Sequence, residues 1–138
     1  MKFKIAILGS TGSIGKSLLR IVSRNNNKIK ISLLTANKNY KLILNQANKY
    51  NVKKIIITNK KYCYLAKSYN KNNSIKIYND FNNLNKFFNK KIDYVMNSIV
   101  GIDGLVPTFK IIKFTKKIAI ANKETIICAW NLINKELK

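Results

Sequence analysis

Residues 9–15 read Gly9-Ser10-Thr11-Gly12-Ser13-Ile14-Gly15, three glycines at three-residue spacing. The apolar run Lys2–Leu8 precedes them and a helical pattern follows. A phosphate-binding turn needs that setting. Glycine lets the backbone turn tightly and approach a pyrophosphate, and the next helix offers free N–H groups and the positive end of its dipole. Thr11 and Ser13 add hydroxyl donors, and Ser13 is a candidate N-cap. The spacing is GxxGxxG, where the commoner dinucleotide fingerprint is GxGxxG. An ordinary glycine-rich turn is the competing reading, disfavoured by the strand before it and the helix after it.

If this loop holds a dinucleotide, the end of the second strand selects which one. An NAD site places an acid there, about 20 residues beyond the glycines, to hold the ribose 2′-hydroxyl. Here the segment is Thr35-Ala36-Asn37-Lys38-Asn39, and no acid occurs before Asp80. A 2′-phosphate would meet no repulsion, Lys38 is placed to pair with it, and Asn37 and Asn39 to hydrogen-bond it. NADPH is therefore favoured over NADH, although a solvated loop lysine is the default for any one lysine in this chain. A third polar stretch, Asn122-Lys123-Glu124, follows a strand end and opens a helix. Ligands bind at such strand ends, and acids also favour a helix N-terminus, so ligand site and helix cap weigh equally on the residues alone.

Other chemistry is missing. There is no histidine, the commonest general base and metal ligand. Cys63 and Cys128 stand far apart and read as two small buried hydrophobes in a reducing cytosol. The five acids, Asp80, Asp93, Asp103, Glu124 and Glu136, are scattered, so no metal cluster is expected and no catalytic residue is nominated.

The elements that must position these residues alternate from end to end. Strands are expected at Lys2–Leu8, Ile29–Thr35, Lys54–Thr58, Ser74–Tyr78 (an edge), Tyr94–Ile99 and Lys117–Ile120. Helices are expected at Ile14–Ser23, Tyr40–Tyr50, Tyr62–Tyr69, Leu84–Phe88, Leu105–Phe114 and Lys123–Glu136. Pro107 falls in the first turn of its helix, where proline is tolerated. This alternation predicts a single α/β domain over residues 1–138: a doubly wound, mostly parallel sheet with helices on both faces, Rossmann-like. The Asn-rich stretches Asn25–Lys28 and Asn70–Ser74 read as loops within it.

The net charge of +22, from 27 basic and 5 acidic residues, raises nucleic acid as a partner. Against that, arginine occurs only at Arg20 and Arg24, and the lysines are spread along the chain with Asn and Ile nearly as abundant. That pattern suits compositional drift, so no specific nucleic-acid partner is expected. No apolar run reaches the roughly 18 residues of a membrane span. Met1–Leu8 lacks a cleavage site and leads directly into the glycine motif, so a cytoplasmic protein is expected.

Three segments together resemble one family. They are the glycine loop, the stretch Asn97-Ser98-Ile99-Val100-Gly101-Ile102-Asp103-Gly104-Leu105-Val106-Pro107-Thr108, and Ile120-Ala121-Asn122-Lys123-Glu124-Thr125. Their order and spacing resemble the 1-deoxy-D-xylulose 5-phosphate reductoisomerase family, over the whole chain. The glycine loop alone is shared with other NADP-dependent reductases, including semialdehyde dehydrogenases, but those need a nucleophilic cysteine and a histidine base. The resemblance implies that Thr11, Gly12, Ser13 and Ile14 line the pyrophosphate of NADPH, that Asn37, Lys38 and Asn39 hold its ribose phosphate, that Asn122 and Glu124 contact it from the last loop, and that Lys123 reaches the sugar-phosphate substrate. Departures are Asn37 where many members have glycine, Asp103 where small residues are usual, and Thr125 in place of serine.

The resemblance further implies conversion of 1-deoxy-D-xylulose 5-phosphate to 2-C-methyl-D-erythritol 4-phosphate in isoprenoid biosynthesis. The family is homodimeric and uses magnesium or manganese, held by an Asp-Ser-Glu motif that this chain does not contain. The catalytic and C-terminal helical domains are expected beyond Lys138. The 138 residues are thus expected to be a catalytically silent part of that enzyme: a shortened product, one half of a split gene with a separately encoded C-terminal half, or an incomplete sequence.

Overall fold

The computed structural model describes all 138 residues, Met1–Lys138. Six strands alternate with five helices. They run β1 (Phe3–Leu8), α1 (Ser13–Arg24), β2 (Ile29–Ala36), α2 (Tyr40–Lys49), β3 (Lys54–Ile57), α3 (Lys60–Tyr69), β4 (Lys76–Tyr78), β5 (Tyr94–Asn97), α4 (Leu105–Ile111), β6 (Ile118–Ile120) and α5 (Lys123–Leu137). The strands form one sheet in the order β4-β3-β2-β1-β5-β6, and every pairing is parallel. The expected sheet was mostly parallel; the observed one is wholly so.

Parallel strands covered on both faces must be apolar on both. The central strands obey this: Ile7, Leu8, Leu33, Leu34, Ile55, Ile56 and Ile57 are all fully buried. Strand alternation divides them into two cores. Ile5, Ile7 and Leu34 face Leu19 and Val22 of α1, Ile43 of α2 and Ala66 of α3. Ala6, Leu8, Leu33 and Ile56 face Phe81, Leu84, Phe87, Phe88 and Ile111. A third, small cluster of Ile112, Ala129 and Ile133 fastens α5 to the end of α4.

Asparagine, so common in this chain, serves as a helix cap. Asn39 accepts from Leu42 N, Asn59 from Tyr62 N and Asn122 from Thr125 N, so α2, α3 and α5 each begin with one backbone donor satisfied. The helix expected at Leu84–Phe88 is instead a single 3-10 turn, Leu84–Lys86. The backbone closes one turn only, with Lys86 N shared between Asn83 O at 2.9 Å and Asn85 Oδ1 at 3.0 Å and with Phe87 N and Phe88 N both donating to Leu84 O, in a stretch whose asparagines offer the backbone local alternatives to helix. Leu84, Phe87 and Phe88 are buried regardless. The helix expected at Leu105–Phe114 tightens after Ile111 into a 3-10 turn, Ile112–Phe114. No helix is long and apolar enough to cross a membrane.

One acid ties the amino end of the sheet together. Asp93 accepts from Lys4 N at 2.8 Å and from Lys116 Nζ at 2.7 Å. The Lys116 hydrogen bond, then the Lys4 N–H, hold its carboxyl below the usual carboxylate range. A group depressed on folding stabilises above its unfolded pKa, and that stability is lost as pH falls through the folded value. Asp93→Asn is therefore expected to lower the urea midpoint at neutral pH, with the gap to wild type closing below about pH 3. A gap that stays constant from pH 7 to pH 3 contradicts this role.

Candidate functional site

Strand order reverses direction about β1: the chain builds outward to β4 on one side, then returns to place β5 on the other. Ligands in open α/β sheets bind at the carboxyl ends of the strands flanking such a switch point. The glycine loop lies there. Gly9, immediately after β1, has φ +78°, a left-handed conformation that strains any L side chain. A Cβ at Gly9 would also approach Ser98 C to 3.1 Å, because the end of β5 presses on the loop. At Gly15 a Cβ would overlap Gly9 O and lie 2.6 Å from Ser10 Cα, so only glycine lets α1 sit this close to the turn.

Buried polar side chains clamp the loop from three directions. From β2, Thr35 Oγ1 accepts from Gly9 N at 3.0 Å and Thr35 O from Ser10 N at 2.9 Å. From α2, Gln46 accepts the Ser10 hydroxyl at 2.8 Å and donates to Ser10 O at 3.0 Å. Beyond β5, Ser98 Oγ donates to Leu8 O at 2.7 Å and Gly9 O at 3.2 Å. The candidate cap Ser13 does not cap: Gly12 is the N-cap of α1, and no side chain bonds there. Ser13 already lies within the first helical turn, beyond the half-in position from which a side-chain oxygen accepts from the N–H groups two or three residues further on. The N–H groups of Ser13, Ile14 and Gly15 consequently have no acceptor in the protein, unlike the capped starts of α2, α3 and α5. An unsatisfied helix N-terminus next to a glycine turn is an anion site.

A cavity of about 660 Å³ opens beside this turn. Gly9, Thr11 and Gly12 form one side, Ala36, Asn37 and Thr58 another, and Ser98, Ile99 and Val100 lie across from them. Asp80 and Phe81, with Pro107 and Lys110 of α4, complete the wall. Of the residues expected at a site, Thr11, Gly12 and Asn37 line the cavity, and Ser13 and Ile14 are exposed on the adjoining turn of α1. Lys38 and Asn39 are exposed on the loop after β2, outside the cavity wall, and Asn39 is engaged as the α2 cap. Asn37 accepts from Thr58 Oγ1 at 3.3 Å.

Asn122 is buried and serves as a cap; its Nδ2 also donates to Ile99 O at 2.9 Å. It thereby fixes the loop after β5, and Gly104 makes room for it: a Cβ there would lie 2.5 Å from Asn122 Nδ2. Lys123 is exposed and Glu124 half-buried on the first turn of α5, neither lining the cavity nor in an ion pair. Sequence reasoning assigned no individual role to Ser10, Thr35, Asn97, Ser98 and Thr108, although they stand in the segments quoted above, and missed Gln46 altogether. Asn97 Nδ2 donates to Gly104 O at 2.9 Å and Thr108 Oγ1 at 2.6 Å, shaping the same loop. A polar Asn97-Ser98 pair closing the apolar strand Tyr94–Met96 was the available signal.

The site has no nucleophile or metal cluster. Cys63 is buried as expected, but Cys128, also expected to be buried, is exposed on α5 and lies outside the cavity wall; burial pushes the Cys63 thiol up, with Lys67 acting the other way, whereas a reactive cysteine needs a lowered pKa. Asp80 and Asp103 both line the cavity, but no three potential ligands gather anywhere in the chain. The residues present do not fit a bound cation.

A wholly parallel doubly wound sheet with a glycine turn at its switch point defines a Rossmann-like α/β domain. The sequence profile of 1-deoxy-D-xylulose 5-phosphate reductoisomerase matches residues 5–130, and this chain belongs to that family. It is 56% identical over 137 residues to the 1-deoxy-D-xylulose 5-phosphate reductoisomerase of Pelagibacter ubique, and 38% identical over 135 residues to that of Phocaeicola vulgatus. These matches cover 98% and 97% of this chain but 35% of each relative, so the chain spans about a third of their length. Among solved structures, the reductoisomerase from Zymomonas mobilis in complex with NADPH superposes with a TM-score of 0.88 at 29% identity, covering 99% of this chain and 36% of that one. A reductoisomerase in complex with magnesium superposes at 0.85 and 29% identity, covering 99% of this chain and 35% of that one.

Proposed function

We propose that this chain is the NADPH-binding part of a 1-deoxy-D-xylulose 5-phosphate reductoisomerase, serving the reduction that yields 2-C-methyl-D-erythritol 4-phosphate. The observation that carries this reading is the set of three N–H groups without a protein acceptor, on Ser13, Ile14 and Gly15, in the turn of α1 that adjoins the glycine loop lining the cavity. Thr11, Gly12, Ser13 and Ile14 hold the pyrophosphate. Asn37, Lys38 and Asn39 hold the ribose 2′-phosphate, while Asn122 and Glu124 contact the cofactor from the last loop. The bound cofactor supplies a hydride. Lys123, exposed and free of any ion pair, is the contact offered to a sugar phosphate. The acids of this chain assemble no cation site, so no metal role is assigned to them. The two free cysteines suit a reducing cytoplasm, and likeness to the family extends the proposal to a homodimer of the full-length protein.

Titration calorimetry with each cofactor tests the reading. A charge-assisted hydrogen bond is worth about 1.5–3 kcal/mol, so NADPH is expected to bind about 10-fold to 100-fold more tightly than NADH. Lys38→Glu is expected to erase or reverse that preference by placing a carboxylate against the 2′-phosphate. Equal affinities in the wild-type chain would sink the assignment of this loop.

A further inference from the structure

The lysines are not spread evenly over the folded surface. The cavity beside the glycine turn has one lysine, Lys110, in its wall and two acids. At the opposite, amino end of the sheet lies a hollow of about 550 Å³ whose wall contains Lys4, Lys30, Lys53, Lys54, Lys86 and Lys90 and no acid. An adjoining hollow of about 700 Å³ shares Lys30, Ile31 and Asn51 with it and likewise has no acid in its wall.

Helix C-termini attract lysine through the helix dipole, and that would be an ordinary reason for basic residues at this end of an α/β sheet. It does not apply here. Lys4, Lys30, Lys53 and Lys54 lie on or beside the first residues of β1, β2 and β3, and Lys86 and Lys90 on the segment covering the second face. Lys54 has a structural task, donating to Phe87 O at 2.8 Å. The other five are exposed and form no ion pair. Lys4 and Lys30 are direct partners in the register of β1 and β2, and like charges set side by side on a sheet repel. The neighbouring carboxylate, Asp93, is hydrogen-bonded by Lys116 and by the backbone of Lys4, and the Lys4 ammonium acts on it only through space, without an ion pair. A concave surface with five unpaired ammonium groups and built-in self-repulsion is stabilised by a multivalent anion.

We propose that this basal hollow binds a linear polyphosphate, independently of the dinucleotide site at the other end of the sheet. Its chemistry favours bare phosphate over nucleic acid. The aromatic residues in its wall, Phe87 and Phe88, are buried and offer no face for base stacking, and no arginine lies there to form bidentate forks with bases.

The test uses the full chain and inorganic polyphosphate of defined length, titrated with and without saturating NADPH at several salt concentrations. The wild type is expected to bind, with affinity falling linearly in log salt and unchanged by NADPH. The double variant Lys30→Glu/Lys86→Glu is expected to weaken binding at least 10-fold. Lys60→Glu/Lys61→Glu, which changes net charge equally at the start of α3, is expected to stay within 2-fold of wild type. NADPH affinity in each variant reports that the fold is intact. Equal losses in both double variants would reduce the effect to overall charge and overturn the proposal. So would competition between NADPH and polyphosphate, or tighter binding of an RNA oligomer with the same number of phosphates.

Discussion

Mixed with NADPH, 1-deoxy-D-xylulose 5-phosphate and magnesium or manganese, the purified 138-residue chain is expected to oxidise no cofactor above the buffer blank. Hydride transfer requires the nicotinamide and the sugar to be held at contact distance, and orientation of that kind is worth a factor of about 10⁵ or more. A cation polarising the substrate oxygens adds several kcal/mol. On the reading proposed above, these residues provide a cofactor platform and one exposed lysine, Lys123, for the sugar, but no cluster of cation ligands. Cofactor binding by calorimetry should persist in the same sample, separating a silent chain from an unfolded one. Adding a separately expressed polypeptide that spans the remaining two-thirds of a relative is expected to restore turnover. Measurable turnover by the 138 residues alone would show that the argument from missing ligands is wrong.

The largest effect of a single substitution is expected at Gly15. In Gly15→Ala the new Cβ would overlap Gly9 O and come within 2.8 Å of Ser10 C, both backbone atoms that no rotamer change can move. Overpacking against a backbone held by Thr35, Gln46 and Ser98 should cost about 3 kcal/mol, a large share of the roughly 5–15 kcal/mol that stabilises a domain. Because the displaced atoms belong to the phosphate-binding turn, NADPH affinity should fall below calorimetric detection. Gly12→Ala provides the contrast. Its φ of −79° suits any residue, and its Cβ would meet only Gly9 O at an ordinary 3.5 Å. It should unfold within about 0.5 kcal/mol of wild type, since a change that meets no packing obstacle is usually small, while binding NADPH less tightly, because Gly12 lines the cavity. Wild-type stability and affinity in Gly15→Ala would remove the packing role assigned to the third glycine.

The glycine motif was legible because its three requirements are local: a strand before it, a helix after it, and glycine where the backbone turns. Strands and helices were legible because runs such as Lys54–Ile57 and the spacing of Leu18, Leu19 and Val22 record burial directly. Where short-range rules compete, reading by period failed. Leu84, Phe87 and Phe88 have helical spacing, yet in this asparagine-rich stretch the backbone closes only one 3-10 turn. Ser13 reads as a cap from its type and place, and the glycine before it takes that position instead.

By itself, then, the sequence determined the α/β class, the alternation of elements, the place of the glycine turn and the family, since each is set by residues within a few positions of one another. Tertiary structure alone decided which distant residues meet. The strand order brings Thr35, Gln46 and Ser98 onto the glycine loop and assigns Asn122 to hold the loop after β5. It also carries Asp80, the first acid of the chain and far in sequence from Asn37, into the wall of the same cavity, so Lys38 must outweigh a carboxylate for a 2′-phosphate to be preferred. It separates the lysines as well, leaving one in the wall of the cavity beside the glycine turn and gathering six at the opposite end of the sheet. Charge counted along a chain gives a sum, whereas a field depends on which strand ends are neighbours, and that is fixed only when the parallel sheet closes around β1.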